Sequence, residues 1–156
     1  MTLAEFTELN LLVPELLNER QESVIVELSK RLADAGRIEN ARVFAQAVLK
    51  HESLVSTVFD RVAFCLARGH TAVKLSFAMG LSKYGIPWGR PDAPPVFMVV
   101  LFAIPVSAEK EYLPVIMTFS SFLDDKAVFP CLRESQHSEE IFEVLKRARL
   151  RASECD

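Results

Sequence analysis

Between positions 22 and 35 the apolar residues recur three and four apart. Val24, Ile25, Leu28 and Leu32 share one face and Glu27, Lys30 and Arg31 the other, which is the 3.6-residue period of an amphipathic helix. Gly36 follows where a glycine just past the last turn ends such a helix. A second helical stretch over 40–50 turns Phe44, Val48 and Leu49 inward. At the start of the chain, Thr2 and Glu5 have the spacing of a capping box. Pro14, set among Leu11, Leu12, Val13, Leu16 and Leu17, predicts an edge strand, because proline lacks the N–H that a central strand donates.

Beyond position 60 the period changes. Val62-Ala63-Phe64-Cys65-Leu66 is an unbroken apolar run, as in a strand covered on both faces. Val73, Leu75, Phe77 and Met79 alternate with Lys74, Ser76 and Ala78 and predict a half-buried strand. Gly85, Pro87, Gly89 and Pro91 punctuate a turn around Trp88, and Val96 to Ile104 reads as a central strand. Helical spacing returns at Ala108, with Leu113, Ile116, Met117, Ser120 and Leu123 on the predicted inner face. Pro114 is expected in the first turn, where its missing N–H costs nothing. Asp124-Asp125 predicts the cap of a short helix. Ser138 predicts the N-cap of a last one, with Glu139 and Glu140 near its positive end and Ile141, Val144 and Leu145 inward. The order of helices, then strands, then helices predicts an α/β three-layer sandwich, a mixed β-sheet flanked by helices on both faces.

Composition narrows the function classes. The chain has 156 residues, half of them hydrophobic, and a net charge of −3. That fits one globular domain over 1–156 with a core that needs no staples, and it lacks the basic excess of a nucleic-acid binder. The densest basic run, Lys146-Arg147-Ala148-Arg149-Leu150-Arg151, is expected as the positive last turn of a helix. Cys65, Cys131 and Cys155 form no CxxC pair, which argues against a disulfide framework or a zinc site. No secretory leader is visible at the start, and the apolar run from Pro94 to Val106 is too short to cross a bilayer. The expectation is a cytoplasmic protein without membrane insertion, metal or nucleotide cofactor. The oligomeric state stays open.

Several segments, collinear over nearly the whole chain, resemble the enzyme IIA domain of the mannitol, fructose and nitrogen branch of the phosphotransferase system. Arg61-Val62-Ala63-Phe64-Cys65-Leu66 is similar to the family's Gly-Ile-Ala-Ile-Pro-His strand end. His51-Glu52 stands where the family's second helix ends in Arg-Glu. Gly85-Ile86-Pro87-Trp88 matches the Gly-Ile-x-aromatic turn, and Glu111-Tyr112-Leu113 matches Glu-His-Leu at a helix start. Phe122-Leu123-Asp124-Asp125 and Ser138-Glu139-Glu140-Ile141-Phe142 match the closing elements.

The resemblance implies a histidine that takes a phosphoryl group from a small phosphocarrier and passes it to an enzyme IIB partner. That chemistry needs an imidazole nitrogen with a free lone pair and donors for the equatorial oxygens. The matching positions here are Leu66, Tyr112 and His51. Leu66 has no lone pair, Tyr112 keeps one hydroxyl donor, and His51 lacks the guanidinium fork of an arginine. These departures imply a regulatory, protein-binding enzyme IIA-like module whose partners are a phosphocarrier, an enzyme IIB-like protein or a regulatory target. His70 remains open as a displaced phosphoryl acceptor in a working sugar or nitrogen pathway, and a small-anion sensor in the vacated pocket is a further alternative. Arg68, a surviving anion-binding residue, and Glu111 are candidates flanking the site. Cys65, next to Leu66, is expected to face the other way and to be inert.

Overall fold

The structure is a computed structural model that describes residues 1–69 and 71–150. Five strands form one sheet: β1 (Leu12–Val13), β2 (Val58–Phe59), β3 (Val62–Arg68), β4 (Ser76–Ile86) and β5 (Val96–Ile104). Their spatial order is β1-β4-β5-β3-β2. β3 runs parallel to β5, β4 antiparallel to it, and β1 parallel to β4. Strand β2 is the short arm of a tight hairpin with β3. The mixed sheet is flanked by α1 (Gln21–Asp34) and α2 (Ala41–Leu54) on one face. The other face carries α3 (Glu109–Leu123), α4 (Val128–Arg133) and α5 (Ser138–Leu145), so the predicted sandwich is present.

The side chains of the strands explain the layering. On the α1/α2 face the strands present small residues, Ala63, Cys65, Ala67, Ala78 and Ala103, so two long helices lie close to the sheet. Gly80 is the extreme case: a Cβ there would meet the Leu16 side chain, with Leu16 Cγ at 2.7 Å. On the α3 face the strands present Phe64, Leu66, Phe77, Met79 and Phe102. Phe119 of α3 sits at the centre of that layer, edge-on to Phe77 and Phe64 at 5.2 and 5.9 Å between centroids. Such edge contacts add about 0.5–1.5 kcal/mol each beyond the buried area.

Several local expectations hold. Glu5 accepts the Thr2 N–H at 2.5 Å. Leu12-Val13 is an edge strand ahead of Pro14. Asn40 caps α2 by accepting the Val43 N–H, and Gly36 ends α1 at φ +73°, a backbone region that favours glycine.

Others change. β4 begins at Ser76, is buried on both faces through Leu81 and continues to Ile86. It is therefore a central strand, and the turn starts only at Pro87. Ser76 occupies a buried position because Arg37 donates to its hydroxyl and the hydroxyl donates to the Lys74 carbonyl. The alternation over 73–79 misled because Val73 precedes the strand and is exposed. Pro114 lies inside α3 rather than in its first turn. A 3-10 turn over Val106–Ala108 precedes the helix.

The inner face of α3 is Tyr112, Val115, Thr118 and Phe119, one residue round from the predicted stripe. Leu113 and Met117 point outward, 58% and 59% exposed. Ser138 is the first residue of α5 rather than its cap, and its hydroxyl donates to the Leu12 carbonyl at 2.7 Å. The helix ends at Leu145, so the basic run lies beyond it: Lys146 is the C-cap and Arg149 bridges to Thr2. Arg151 and Cys155 fall outside the described residues.

Candidate functional site

The predicted site gathers at the C-terminal end of β3. Strand alternation sends Leu66 and Arg68 to the α3 face and Cys65 to the α2 face, and the two core clusters divide in that way. Leu66 is 8% exposed. Its register partner on β5 is Phe102, whose ring meets the Tyr112 ring edge-on at 5.5 Å. Tyr112, on the second half of the first turns of α3, is 4% exposed. The position that the resemblance assigns to a phosphorylated histidine is thus a hydrocarbon side chain buried beside a buried aromatic ring.

Arg68 emerges from the strand end. Its guanidinium carbon lies 5.8 Å from the centroid of the Tyr112 ring and its Nη1 3.6 Å from Glu109 Oε1. Both partners of that ion pair are more than half exposed, so it contributes little stability and leaves the guanidinium available. Burial pushes the Tyr112 phenol above its ordinary value, and the neighbouring Arg68 cation pulls it partly back. Glu111 is exposed in the first turn of α3. The carboxylate that meets Arg68 is Glu109, which sequence reasoning did not single out. No local signal announced it: Arg68 ends β3 whereas Glu109 opens the helix after β5, and the two meet because β3 and β5 pair in parallel with Arg68 opposite Ile104.

His51 lies near the end of α2, the helix that packs on the other sheet face, and its Nδ1 is buried without a hydrogen-bond partner among the described residues. Its neighbour Glu52 is more tightly engaged. Glu52 accepts the Trp88 indole N–H at 3.2 Å and the Thr57 hydroxyl. Cys65 faces the same carboxylate; burial and the Glu52 charge push its thiol well above the ordinary range. A buried, electronegative setting favours the neutral thiol over a nucleophilic thiolate. Trp88 is therefore more than a turn residue: it closes over the Glu52 end of α2. His70, the proposed displaced acceptor, lies outside the described residues.

Chemically, the Leu66 end offers one exposed guanidinium, one buried phenol and an apolar strand end. Next to it, α3 presents Leu113 and Met117, four apart and thus on one face. Among the described residues no helix is long and apolar enough to cross a membrane.

Comparison with known proteins fits this architecture. Residues 5–148 match the model of a family described as phosphoenolpyruvate-dependent sugar phosphotransferase system, EIIA 2. The fructose-specific EIIABC component of the phosphotransferase system of Bacillus subtilis (strain 168) is 24% identical over 131 residues, which make up 83% of this chain and 21% of that protein. Nitrogen regulatory protein IIA-Ntr from Neisseria meningitidis has a similar structure, with a TM-score of 0.81 at 19% identity over 91% of this chain and 97% of the other. Enzyme IIA mannitol from Escherichia coli gives 0.74 at 19% identity, over 87% of this chain and 96% of the other. The same protein in complex with phosphorylated enzyme IIB mannitol gives 0.73 at 19% identity, over 89% and 97%. At these identities the structural likeness speaks for the fold.

Proposed function

The chain belongs to the EIIA 2 family of the phosphoenolpyruvate-dependent sugar phosphotransferase system, and from that membership we propose that it is a member that carries no phosphoryl group at position 66 and works by protein contact. The observation that carries the reading is the burial of Leu66, a side chain without a lone pair, against the Phe102–Tyr112 layer. Phosphoryl transfer requires a nucleophile there and several donors around the transferred group. Arg68 stands at the strand end, paired with Glu109, and His51 sits on the helix that packs on the other sheet face.

The partner surface is the outward face of α3, Leu113 and Met117, bordered by Arg68 and the 3-10 turn at Val106. Exposed Leu and Met beside an arginine fit a protein interface better than a solvated helix face. The partner belongs to the classes that engage such domains, an enzyme IIB-like protein or the phosphocarrier. A complex of enzyme IIA mannitol with phosphorylated enzyme IIB mannitol exemplifies this kind of assembly. A small-anion sensor in the vacated pocket is less well supported, because Leu66 and Tyr112 are both packed into the core.

The test has two arms. The chain is incubated with phosphoenolpyruvate, enzyme I and the phosphocarrier, next to a phosphorylatable family member, and its intact mass is measured. No added phosphoryl group is expected. One added group, mapped to His70, overturns the reading and makes the chain a carrier with a moved acceptor. In the second arm, partner binding is measured for Leu113→Glu and Met117→Glu, both at exposed positions. These should lose binding with the fold intact, and unchanged binding of both discards the proposed surface.

A further inference from the structure

A cavity lies at the opposite end of α3. Between the β2–β3 hairpin and the α3–α4 connection there is an open cavity of about 610 Å³, a size within the range of small-molecule sites. It is roughly 16 Å along the helix from Tyr112, at 1.5 Å per residue, and none of the residues assigned to the partner surface lines it. Its apolar wall is Val62, Phe64, Leu123 and Phe129.

The charged groups around that wall have both signs. Arg61, Lys126 and Arg133 bring three cations, and Asp60, Asp124, Asp125 and Glu134 bring four carboxylates. None of them is in an ion pair among the described residues. Two of the cations are held in place by aromatic rings instead. The Arg61 guanidinium carbon lies 5.3 Å from the Phe129 centroid and that of Arg133 4.4 Å from the Phe97 centroid. Arg133 spends one N–H on the Lys83 carbonyl. Asp125 uses one carboxylate oxygen on the Ala127 N–H. The Arg61 backbone carbonyl accepts the Phe97 N–H, but its guanidinium makes no hydrogen bond among the described residues and rests on the Phe129 ring at the cavity lining.

A ligand of one sign meets opposition in such a site. A phosphate or sugar phosphate would be held by the arginines but repelled by four carboxylates, and a simple cation would meet the reverse. A molecule with a carboxylate at one end, an ammonium at the other and an apolar side group satisfies all three parts of the lining. We propose that this cavity binds a small zwitterion of the α-amino acid or dipeptide class with an apolar side chain. Its carboxylate lies on Arg61 and Arg133, its ammonium on the Asp124-Asp125 side, and its side chain on Phe64 and Phe129.

The proposal is independent of what happens at Leu66. It is tested by titrating the isotopically labelled full chain with L-phenylalanine and glycyl-L-phenylalanine while following backbone amide shifts. N-acetyl-L-phenylalanine, L-phenylalaninamide, benzoate and inorganic phosphate serve as comparison probes. Saturable shifts centred on Arg61, Lys126 and Phe129 are expected with the free zwitterions. Blocking either terminus should weaken binding about tenfold or more, the worth of one hydrogen bond to a charged group. Arg61→Gln should remove the preference for a free carboxylate, and Lys126→Gln on the exposed rim gives a second variant. Absence of saturable shifts, equal binding of the blocked forms, or tighter binding of benzoate or phosphate overturns it.

Discussion

Arg68 lies over the ring of Tyr112, its guanidinium carbon 5.8 Å from the ring centroid, while Glu109 holds the same guanidinium at 3.6 Å. The phenol beneath is raised by burial, with Arg68 opposing. A raised phenol means that the folded chain holds this proton more firmly than the unfolded chain. The resulting stability is complete below the unfolded tyrosine value of about 10 and is lost as pH rises through the higher folded value. Tyr112→Phe should therefore flatten the loss of stability under alkaline conditions, and Arg68→Ala should raise the phenol further. Denaturant midpoints across that pH range check the first. Phenolate absorbance in a Tyr84→Phe background checks the second, since that leaves Tyr112 as the one phenol of the two in the chain. An unchanged alkaline slope in Tyr112→Phe would refute the linkage.

Gly80 and Leu16 make a second testable pair. The Leu16 N–H donates to the Leu81 carbonyl at 2.9 Å, which pins the segment after Pro14 directly over Gly80. A methyl group at position 80 must displace a buried leucine. Gly80→Ala should cost about 1–3 kcal/mol, the usual range for overpacking a filled core. Adding Leu16→Ala should return part of that loss, so the double mutant is more stable than the sum of the single effects predicts. Additive effects would mean that the two residues do not compete for the same space.

The strands with unbroken apolar runs, β3 and β5, were legible in the sequence because burial on both faces leaves no polar position to confuse the period. So was the division of labour between Cys65 and Leu66, which follows from the two-residue alternation alone. The face of α3 was not legible. Leu113, Ile116, Met117 and Leu123 have helical spacing and high hydrophobicity, yet the sheet selects Tyr112, Val115 and Phe119 because three aromatic rings from β3, β4 and β5 complement them. The shared carboxylate of Glu52 was also hidden, since its partners Thr57 and Trp88 come from a loop and a turn that only the fold brings together. The cavity beside Arg61 depends on the meeting of a hairpin and a helix connection far apart in the chain, and no local pattern announces it.

The thiols should separate by environment. Cys65 is fully buried beside Glu52 and its thiol is pushed well up, whereas Cys131 is exposed on α4. An alkylating reagent under native conditions near neutral pH should modify Cys131 rapidly and leave Cys65 intact until the chain unfolds, since reaction needs both thiolate and access. Peptide mapping after timed labelling reads this directly. Glu52→Gln removes the charge that disfavours the thiolate but not the burial, so it should not expose Cys65 to reagent. Prompt native labelling of Cys65 would contradict the position of this residue in the α2 layer.

Restoring a histidine at position 66 separates the missing nucleophile from the missing surroundings. Leu66→His places an imidazole in a site built for a hydrocarbon, next to Phe102 and Tyr112. A buried polar nitrogen left without a partner costs about 1–3 kcal/mol, so the variant should fold with reduced stability. Even when folded it should accept little or no phosphoryl group from the phosphocarrier, because Arg68 is already paired with Glu109 and Tyr112 offers at most one hydroxyl donor for the equatorial oxygens. Adding Tyr112→His and His51→Arg should raise labelling above that of the single variant, if three positions lost their chemistry together. Intact mass after exposure to phosphoenolpyruvate, enzyme I and the phosphocarrier measures both. Efficient labelling of Leu66→His alone would assign the whole loss to one side chain, and the surroundings would then be those of a working carrier.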